Sequence, residues 1–377
     1  MSRPQPGAIP PVTEPIPVAP GPGRRAGRLA LQAIGFVGAI VLLGWCVREA
    51  LSPGSREQIA RLQEAGPWAF VSLLALSLGT LAVNGLVFWA ALLPVRRLRV
   101  ADVVAVNALA TFLNYLPFKA GLVARLVIHR RRDRVPLTIL GAWIVATVAS
   151  LPVALGPLLL VALWRQGAGT RGGEPAALDL GPVALGAALV GAACCAAGVV
   201  VVSRALAGPV GLARVRAAAG ATRLRPLASL TRRPWFERLH AGMDMLAHPW
   251  TFGGCVALRA ADVGLNAWRF VLAAGVLGMD IPWAGAVVLA CVFYAVGALS
   301  PVGMLGVREG ATTGLAGLLA LAGDQSFAAV ALLVGGADAL ANLVGAALAV
   351  PWLRVDRLLR GHAGEPESDG GRGAGPP

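Results

Sequence analysis

Long apolar segments, rather than short alternating ones, dominate the chain. A bilayer-spanning helix needs about 20 predominantly apolar residues, and six segments reach that length. They cover residues 29–47, 68–93, 137–163, 180–202, 252–277 and 327–350. Because helices satisfy their own backbone hydrogen bonds within lipid, this pattern predicts an all-α polytopic membrane protein with about six full spans.

Two further apolar regions, 101–130 and 284–321, are each interrupted near the middle by proline and glycine. The interruptions contain Pro117 and Gly121 in the first region, and Pro301, Gly303 and Gly306 in the second. Each arm has about 15 residues, which is short of a full span. We therefore predict two re-entrant helical hairpins, with two complete crossings by short helices as the alternative.

Arginine placement predicts the orientation of these segments, because cytoplasmic connections accumulate basic residues. Arginines are abundant in 24–28, 96–99, 130–134, 203–249 and 354–360, and scarce or balanced by acids in 48–67, 165–179, 278–283 and 322–326. The first hairpin then begins and ends on the cytoplasmic side, and the second on the outside. Residues 68–163 and 252–350 thus form an inverted repeat of span, hairpin and span, an arrangement typical of transporters with a site near the midplane.

Composition agrees with a membrane protein and limits the expected partners. Hydrophobic residues make up 56% of the chain and charged residues 14%, which excludes an ordinary water-soluble fold. The net charge of +14 comes from arginines bordering the spans, so anionic lipid headgroups are expected partners and nucleic acid is not. We predict disordered tails at 1–27 and 358–377, a transmembrane domain at 28–357 with a basic cytoplasmic loop at 203–250, and both termini on the cytoplasmic side of the plasma membrane.

One apolar segment carries four polar residues on a single helical stripe. Arg259, Asp262, Asn266 and Arg269 are spaced by three, four and three residues. Charges at a helix centre are costly and often functional. The stripe suits a phosphate or carboxylate headgroup, since arginine presents a fork that matches such oxyanions. In the alternative, structural interpretation, Arg259 and Arg269 extend toward opposite interfaces.

Both hairpins and the last span carry further candidates. Polar residues in the first hairpin form another stripe, which leads to basic residues after its tip; these are Asn107, Thr111, Asn114, Lys119 and Arg125. Arg308 and Glu309 lie within an apolar arm of the second hairpin, and Asp338 lies in the last span. The arginines are candidates for headgroup binding, together with Asn107, Asn114 and Asn266. Asp262, Glu309 and Asp338 are candidates for charge balance or proton coupling. A purely structural role for these residues stays open.

The two interrupted stretches, NALATFLNYLPFKAGLVAR at 107–125 and SPVGMLGVRE at 300–309, resemble the membrane region of lysylphosphatidylglycerol synthases and their stand-alone, flippase-like relatives. The resemblance in layout extends over roughly 29–355 and implies handling of anionic lipids between leaflets. Leu122 follows Gly121 where family members commonly have an acidic residue. We expect the stand-alone form, without the soluble aminoacyl-transferase domain.

The leading hypothesis is a protein that translocates or guides an anionic phospholipid or polyprenyl-phosphate lipid between leaflets. No catalytic motif, metal-ligand pattern or cofactor fingerprint is present in the sequence, so neither a cofactor nor a metal is expected. One alternative is a membrane enzyme, or a subunit accompanying a lipid-modifying enzyme, in lipid-linked glycan assembly, with Asp262 and Glu309 as its acid–base pair. Another is a membrane scaffold whose polar stripes only hold helices together.

Overall fold

The computed structural model describes residues 22–116, 119–169, 182–221, 229–233, 236–237, 240, 246–300, 303–321 and 326–356. This described part is helical, with no β-strand. The tails predicted at 1–27 and 358–377 lie largely or wholly outside it, as do Pro117 and Pro301.

In the described part of the first half of the chain there are six α-helices. They are α1 (Pro22–Ala50), α2 (Arg56–Glu64), α3 (Pro67–Leu92), α4 (Val100–Leu113), α5 (Ala120–Arg131) and α6 (Leu137–Gly169). The second half contributes α7 (Pro182–Leu206), α8 (Gly208–Ala221), α9 (Pro249–Val276), α10 (Trp283–Leu299), α11 (Val307–Leu318) and α12 (Ala328–Leu353).

Within the described residues, five helices are long and apolar enough to cross a membrane: α1, α3, α6, α7 and α12. The sixth predicted span, 252–277, lies within the continuous 28-residue helix α9 except for its last residue, which caps the helix. Its length is sufficient for a crossing, but Arg259, Asp262 and Arg269 lower its apolar character. The prediction of an all-α polytopic membrane protein is confirmed.

Each interrupted region folds as two short helices with a break between them. The arms are α4 and α5, of 14 and 12 residues, and α10 and α11, of 17 and 12 residues. At 1.5 Å per residue the arms measure about 18–26 Å, less than the hydrocarbon thickness of about 30 Å. These lengths fit the re-entrant alternative better than two complete crossings.

The predicted external connections meet at one end of the helix bundle. The Gln58 side-chain amide donates to the Met279 sulfur at 3.4 Å and to the Ser326 carbonyl at 3.2 Å, and Arg61 donates to the Gly278 carbonyl at 3.4 Å. At this end the first and last turns of the second hairpin also approach each other, because the Leu321 side chain lies against Gly285.

The predicted cytoplasmic connections meet at the other end. There the Asp102 carboxylate, at the start of α4, pairs with Arg132 just after α5 at 3.0 Å. The same carboxylate accepts a hydrogen bond from the Trp352 indole at the end of α12, at 2.9 Å. Hence the two hairpins enter the bundle from opposite ends, as the arginine pattern predicts.

Helix packing has the pairing expected of the predicted inverted repeat. The first helices of the two repeats, α3 and α9, pack against each other at the centre. The first arm of each hairpin packs against the last helix of the other repeat: α4 contacts α12, and α10 contacts α6. The last helices also pack against the first helices of the opposite repeat, α12 on α3 and α6 on α9. The site described below lies at this interface between repeats.

Candidate functional site

A cavity of about 260 Å³ lies where the two hairpin tips meet. Gly303, with φ +111°, leaves room for the first tip, since a Cβ atom there would lie 3.2 Å from the Tyr115 carbonyl oxygen. Gly121 permits close packing within the first hairpin, because a Cβ atom at that position would overlap the Ala110 carbonyl and the Asn114 side chain. Asn114 and Gly303 line the cavity. The glycines thus allow two helix breaks to approach each other.

The polar stripe of α9 forms one wall of this cavity. Arg259, Asp262, Asn266 and Arg269 all line it, and all four are buried. Arg259 and Arg269 are only 3% and 1% exposed, so neither extends to a membrane interface as the structural interpretation predicted. The ten residues that separate them correspond to roughly 15 Å along the helix axis. The stripe therefore places guanidinium groups at two depths of one cavity.

The first depth holds what we call the hairpin-one cluster: Arg125, Arg259, Asn84, Phe88 and Tyr294. The Arg125 guanidinium stacks over the Phe88 ring, 3.6 Å from its centroid. Arg259 donates to the Asn84 side-chain oxygen at 2.7 Å and lies 5.0 Å from the Tyr294 ring centroid. Two arginines from different repeats thus converge beside the same aromatic ring, which is 5.9 Å from Arg259.

Asn107 holds Arg125 in place from outside the cavity. Its side-chain oxygen accepts a hydrogen bond from Arg125 at 2.7 Å, and its amide donates to the Leu81 carbonyl at 3.1 Å. Asn107 is fully buried. The structure therefore places this sequence candidate behind the site, where it orients an arginine without carrying charge itself.

The second depth holds the hairpin-two cluster: Arg269, Arg308, Asp338, Asn342 and Tyr115. Asp338 pairs with Arg269 at 3.2 Å and with Arg308 at 2.9 Å. The Tyr115 hydroxyl, from the first tip, accepts hydrogen bonds from Arg308 at 3.1 Å and Asn342 at 3.2 Å. Arg269 also donates to Asn266 at 2.8 Å and to the Val334 carbonyl at 2.9 Å. This cluster is cross-linked and joins both hairpins to α12.

Charge is distributed unequally in the cavity. Its lining includes five basic side chains, Lys119, Arg125, Arg259, Arg269 and Arg308, against two carboxylates, Asp262 and Asp338. Asp338 serves two arginines, and Asp262 lies 3.8 Å from Arg259. In the described part of the chain, Lys119 and Arg125 have no carboxylate partner. The formal surplus is three positive charges, concentrated toward the hairpin-one cluster.

Glu309 does not join the other candidates. It is buried, but it is not part of the cavity lining; its side chain lies against Gly335 of α12, where a Cβ atom would overlap the Glu309 carboxylate. Its Oε2 atom has no hydrogen-bond partner among the described residues. An acid–base mechanism built on Asp262 and Glu309 would require both side chains in one cavity. Asp262 lines the cavity and Glu309 does not, so the structure does not fit that mechanism.

Three residues that contact the charged clusters carried no signal in the polar-stripe pattern. Tyr115 and Tyr294 are the two tyrosines of the chain, and both contact the clusters. Asn84 accepts hydrogen bonds from both Arg259 and Tyr294. Lys119, the one lysine and a candidate from the first-hairpin stripe, lines the cavity beside the first tip. Rarity in a tyrosine-poor chain is the sequence signal that marks the two tyrosines.

The geometry described above lies within a stretch that matches a known protein family. The family model described as "Lysylphosphatidylglycerol synthase TM region" matches residues 32–345. This range includes both hairpins and the cavity. The chain belongs to this family. Comparison with curated proteins gave no match, nor did comparison with solved structures. Family membership and the apolar helices together establish a lipid-related integral membrane protein.

Proposed function

We propose that the protein binds the phosphate-bearing headgroup of an anionic lipid in this cavity and transfers the lipid between leaflets of the plasma membrane. The observation that carries the proposal is the surplus of buried positive charge, with Arg125 lacking a carboxylate partner in the described residues. A buried charge costs several kcal/mol unless it is compensated. An anion entering the cavity would supply that compensation.

The chemistry of the lining favours a phosphate group. Arginine binds phosphate oxygens through parallel N–H donors, and these charge-assisted bonds are about twice as strong as neutral ones. In the hairpin-one cluster the Arg125 and Arg259 guanidinium groups converge near Phe88, and the Nε atoms of both lack a hydrogen-bond partner in the described part. A phosphate bound between the two side chains would add acceptors to a cluster whose donors are incompletely satisfied.

Transfer between leaflets is supported by the two depths of arginine and by the inverted repeat. A headgroup bound in the hairpin-one cluster has a second set of donors roughly 15 Å further along α9. In transporters with inverted repeats, rocking of one repeat against the other opens the site to alternate sides. The Arg-rich end would face the cytoplasm, which makes the hairpin-one cluster the site nearer the inner leaflet.

Binding to lipid nanodiscs tests the headgroup site. We expect Arg125→Ala and Arg259→Ala each to weaken binding of phosphatidylglycerol or phosphatidic acid by tenfold or more, because a hydrogen bond to a charged group contributes about 1.5–3 kcal/mol. Arg130→Ala is the matched control, since it removes the same charge from an exposed position of α5. Equal affinity in wild type and both cavity variants would contradict the site.

Transport requires a separate measurement. Proteoliposomes containing fluorescent phosphatidylglycerol, phosphatidic acid or a polyprenyl phosphate should show protein-dependent exchange between leaflets, with phosphatidylcholine as the neutral comparison. The Arg125→Ala variant should slow exchange of the anionic lipids. Binding without exchange would retain the headgroup site and overturn the transport function.

A further inference from the structure

The cavity is too small to contain a whole lipid. Its volume of about 260 Å³ lies below the roughly 300–1,000 Å³ that encloses a drug-sized ligand. A glycerophosphate headgroup requires much less space than two hydrocarbon chains. If the headgroup binds inside, the chains have to leave the cavity through its side and remain in the bilayer.

An apolar rim connects the cavity to the outer surface of the bundle at α5 and α6. On α6, Ile144, Val148 and Leu151 line the cavity, and Val148 is also 48% exposed. On α5, the partly exposed Leu122 lines the same side. Val148 thus belongs to both the cavity wall and the apolar exterior. A side opening between these helices would be lined by hydrocarbon, as lipid chains require.

The inverted repeat implies an equivalent opening between α11 and α12, and there α1 packs against both helices. The contact is close at Gly306, where a Cβ atom would overlap the Ala39 carbonyl, and at Gly310, where it would overlap the Leu42 side chain. Further along α1, the Cys46 thiol lies beside the Thr313 hydroxyl. In this conformation α1 therefore covers the second hairpin.

Among the described residues, the corresponding helix does not pack over the first hairpin as α1 packs over the second. α7 precedes the second repeat as α1 precedes the first, but it packs mainly against α6 and α9. Contacts between α5 and α6 are also sparser than those between α11 and α12. The two repeats therefore differ in how their last two helices are covered, although their hairpins are built alike.

From this asymmetry we propose that lipid reaches the cavity through a single lateral portal between α5 and α6, lined by Leu122, Val148 and Leu151, while α1 closes the equivalent place between α11 and α12. The occupant of the portal is the hydrocarbon portion of the lipid whose phosphate binds Arg125 and Arg259, so this inference rests on the proposed function. Contacts between the portal and the hydrocarbon chains would favour binding of an intact lipid over binding of its free headgroup.

A bulky side chain in the portal separates chain binding from headgroup binding. Val148→Trp should weaken binding of phosphatidylglycerol in nanodiscs at least tenfold more than it weakens binding of soluble glycerol 3-phosphate. Val145→Trp is the matched control: it is also 48% exposed on α6 but does not line the cavity. We expect it to alter neither affinity.

A second approach avoids effects on folding. In a variant with the exposed Cys194 and Cys195 replaced by alanine, Val148→Cys can be labelled with N-phenylmaleimide after purification. Labelling should reduce phosphatidylglycerol binding as the tryptophan does, whereas labelling of Val145→Cys should not.

The outcomes distinguish the portal from the proposed function. Unchanged lipid binding with both modifications at position 148, or an equal loss of glycerol 3-phosphate binding, would overturn the portal while leaving the headgroup site intact. If the unmodified protein bound neither phosphatidylglycerol nor glycerol 3-phosphate, the headgroup site and the portal would both be overturned.

Discussion

At the scale of single residues, the two cavity carboxylates differ in how closely they pair with arginine. Asp338 holds Arg269 and Arg308 through contacts of 3.2 and 2.9 Å, whereas Asp262 is 3.8 Å from Arg259. We expect Asp338→Asn to lower the free energy of unfolding by about 3–5 kcal/mol, because it leaves two buried arginines without their anion. The midpoint of thermal unfolding in nanodiscs measures the loss.

Asp262→Asn is the comparison for this prediction. Arg259 keeps its hydrogen bond to Asn84 when the Asp262 charge is removed. We therefore expect a smaller loss, about 1.5 kcal/mol. A loss of stability in Asp262→Asn equal to or larger than that in Asp338→Asn would show that the ion pairs of Asp338 do not stabilise the protein more than the contact of Asp262 with Arg259 does.

Residue spacing predicted part of this site and missed part of it. The stripe of Arg259, Asp262, Asn266 and Arg269 follows from helical periodicity, and the structure places all four on the cavity. Periodicity says nothing about partners from other helices. For that reason it could not show that Asn107 supports Arg125 from behind, or that Glu309 lies against Gly335.

At the scale of helices, the contact of α1 with the second hairpin depends on Gly306. This residue has φ +74°, and a Cβ atom would overlap the Ala39 backbone. We expect Gly306→Ala to lower the free energy of unfolding by about 1–3 kcal/mol, because a non-glycine residue is strained there and α1 has to move. Thermal unfolding of the purified protein measures this change.

Gly314→Ala, in the helix that begins directly after Gly306, is expected to have the opposite effect on stability. Gly314 lies within α11 and has open space around its Cα atom. Replacement of a helix-interior glycine by alanine should raise stability by roughly 0.5–1 kcal/mol. A loss in Gly314→Ala as large as that in Gly306→Ala would mean that any change in α11 is harmful and that the α1 contact is not special.

The helices and their breaks were the most predictable features of the sequence. Apolar length and the positions of proline and glycine are local signals, and they located both hairpins. Helix ends were less predictable: α6 was expected over 137–163 and extends to Gly169. The helix also continues through Pro152 and Pro157, as the predicted span requires. Interior prolines are tolerated when neighbouring groups in a membrane bundle satisfy the freed carbonyls, and this depends on packing that a local pattern does not contain.

At the scale of the whole molecule, opposite insertion of the two hairpins predicts which surfaces are accessible from each side of the membrane. Gln63 is exposed near the end where the second hairpin begins and ends, and Arg97 is exposed near the end that holds the first hairpin. In a background with the five native cysteines replaced by alanine, we expect an impermeant maleimide to label Gln63→Cys in intact cells. Arg97→Cys should be labelled only after lysis.

This orientation follows from the distribution of arginine, because the Arg-rich connections favour the cytoplasm. Labelling of both cysteines in intact cells would contradict the relative placement of the two hairpins, on which the inverted repeat depends. Labelling of Arg97→Cys alone would preserve the repeat and reverse its direction, so that the hairpin-one cluster and its portal would serve the outer leaflet. The same pair of variants therefore tests the architecture and decides from which leaflet the lipid is taken.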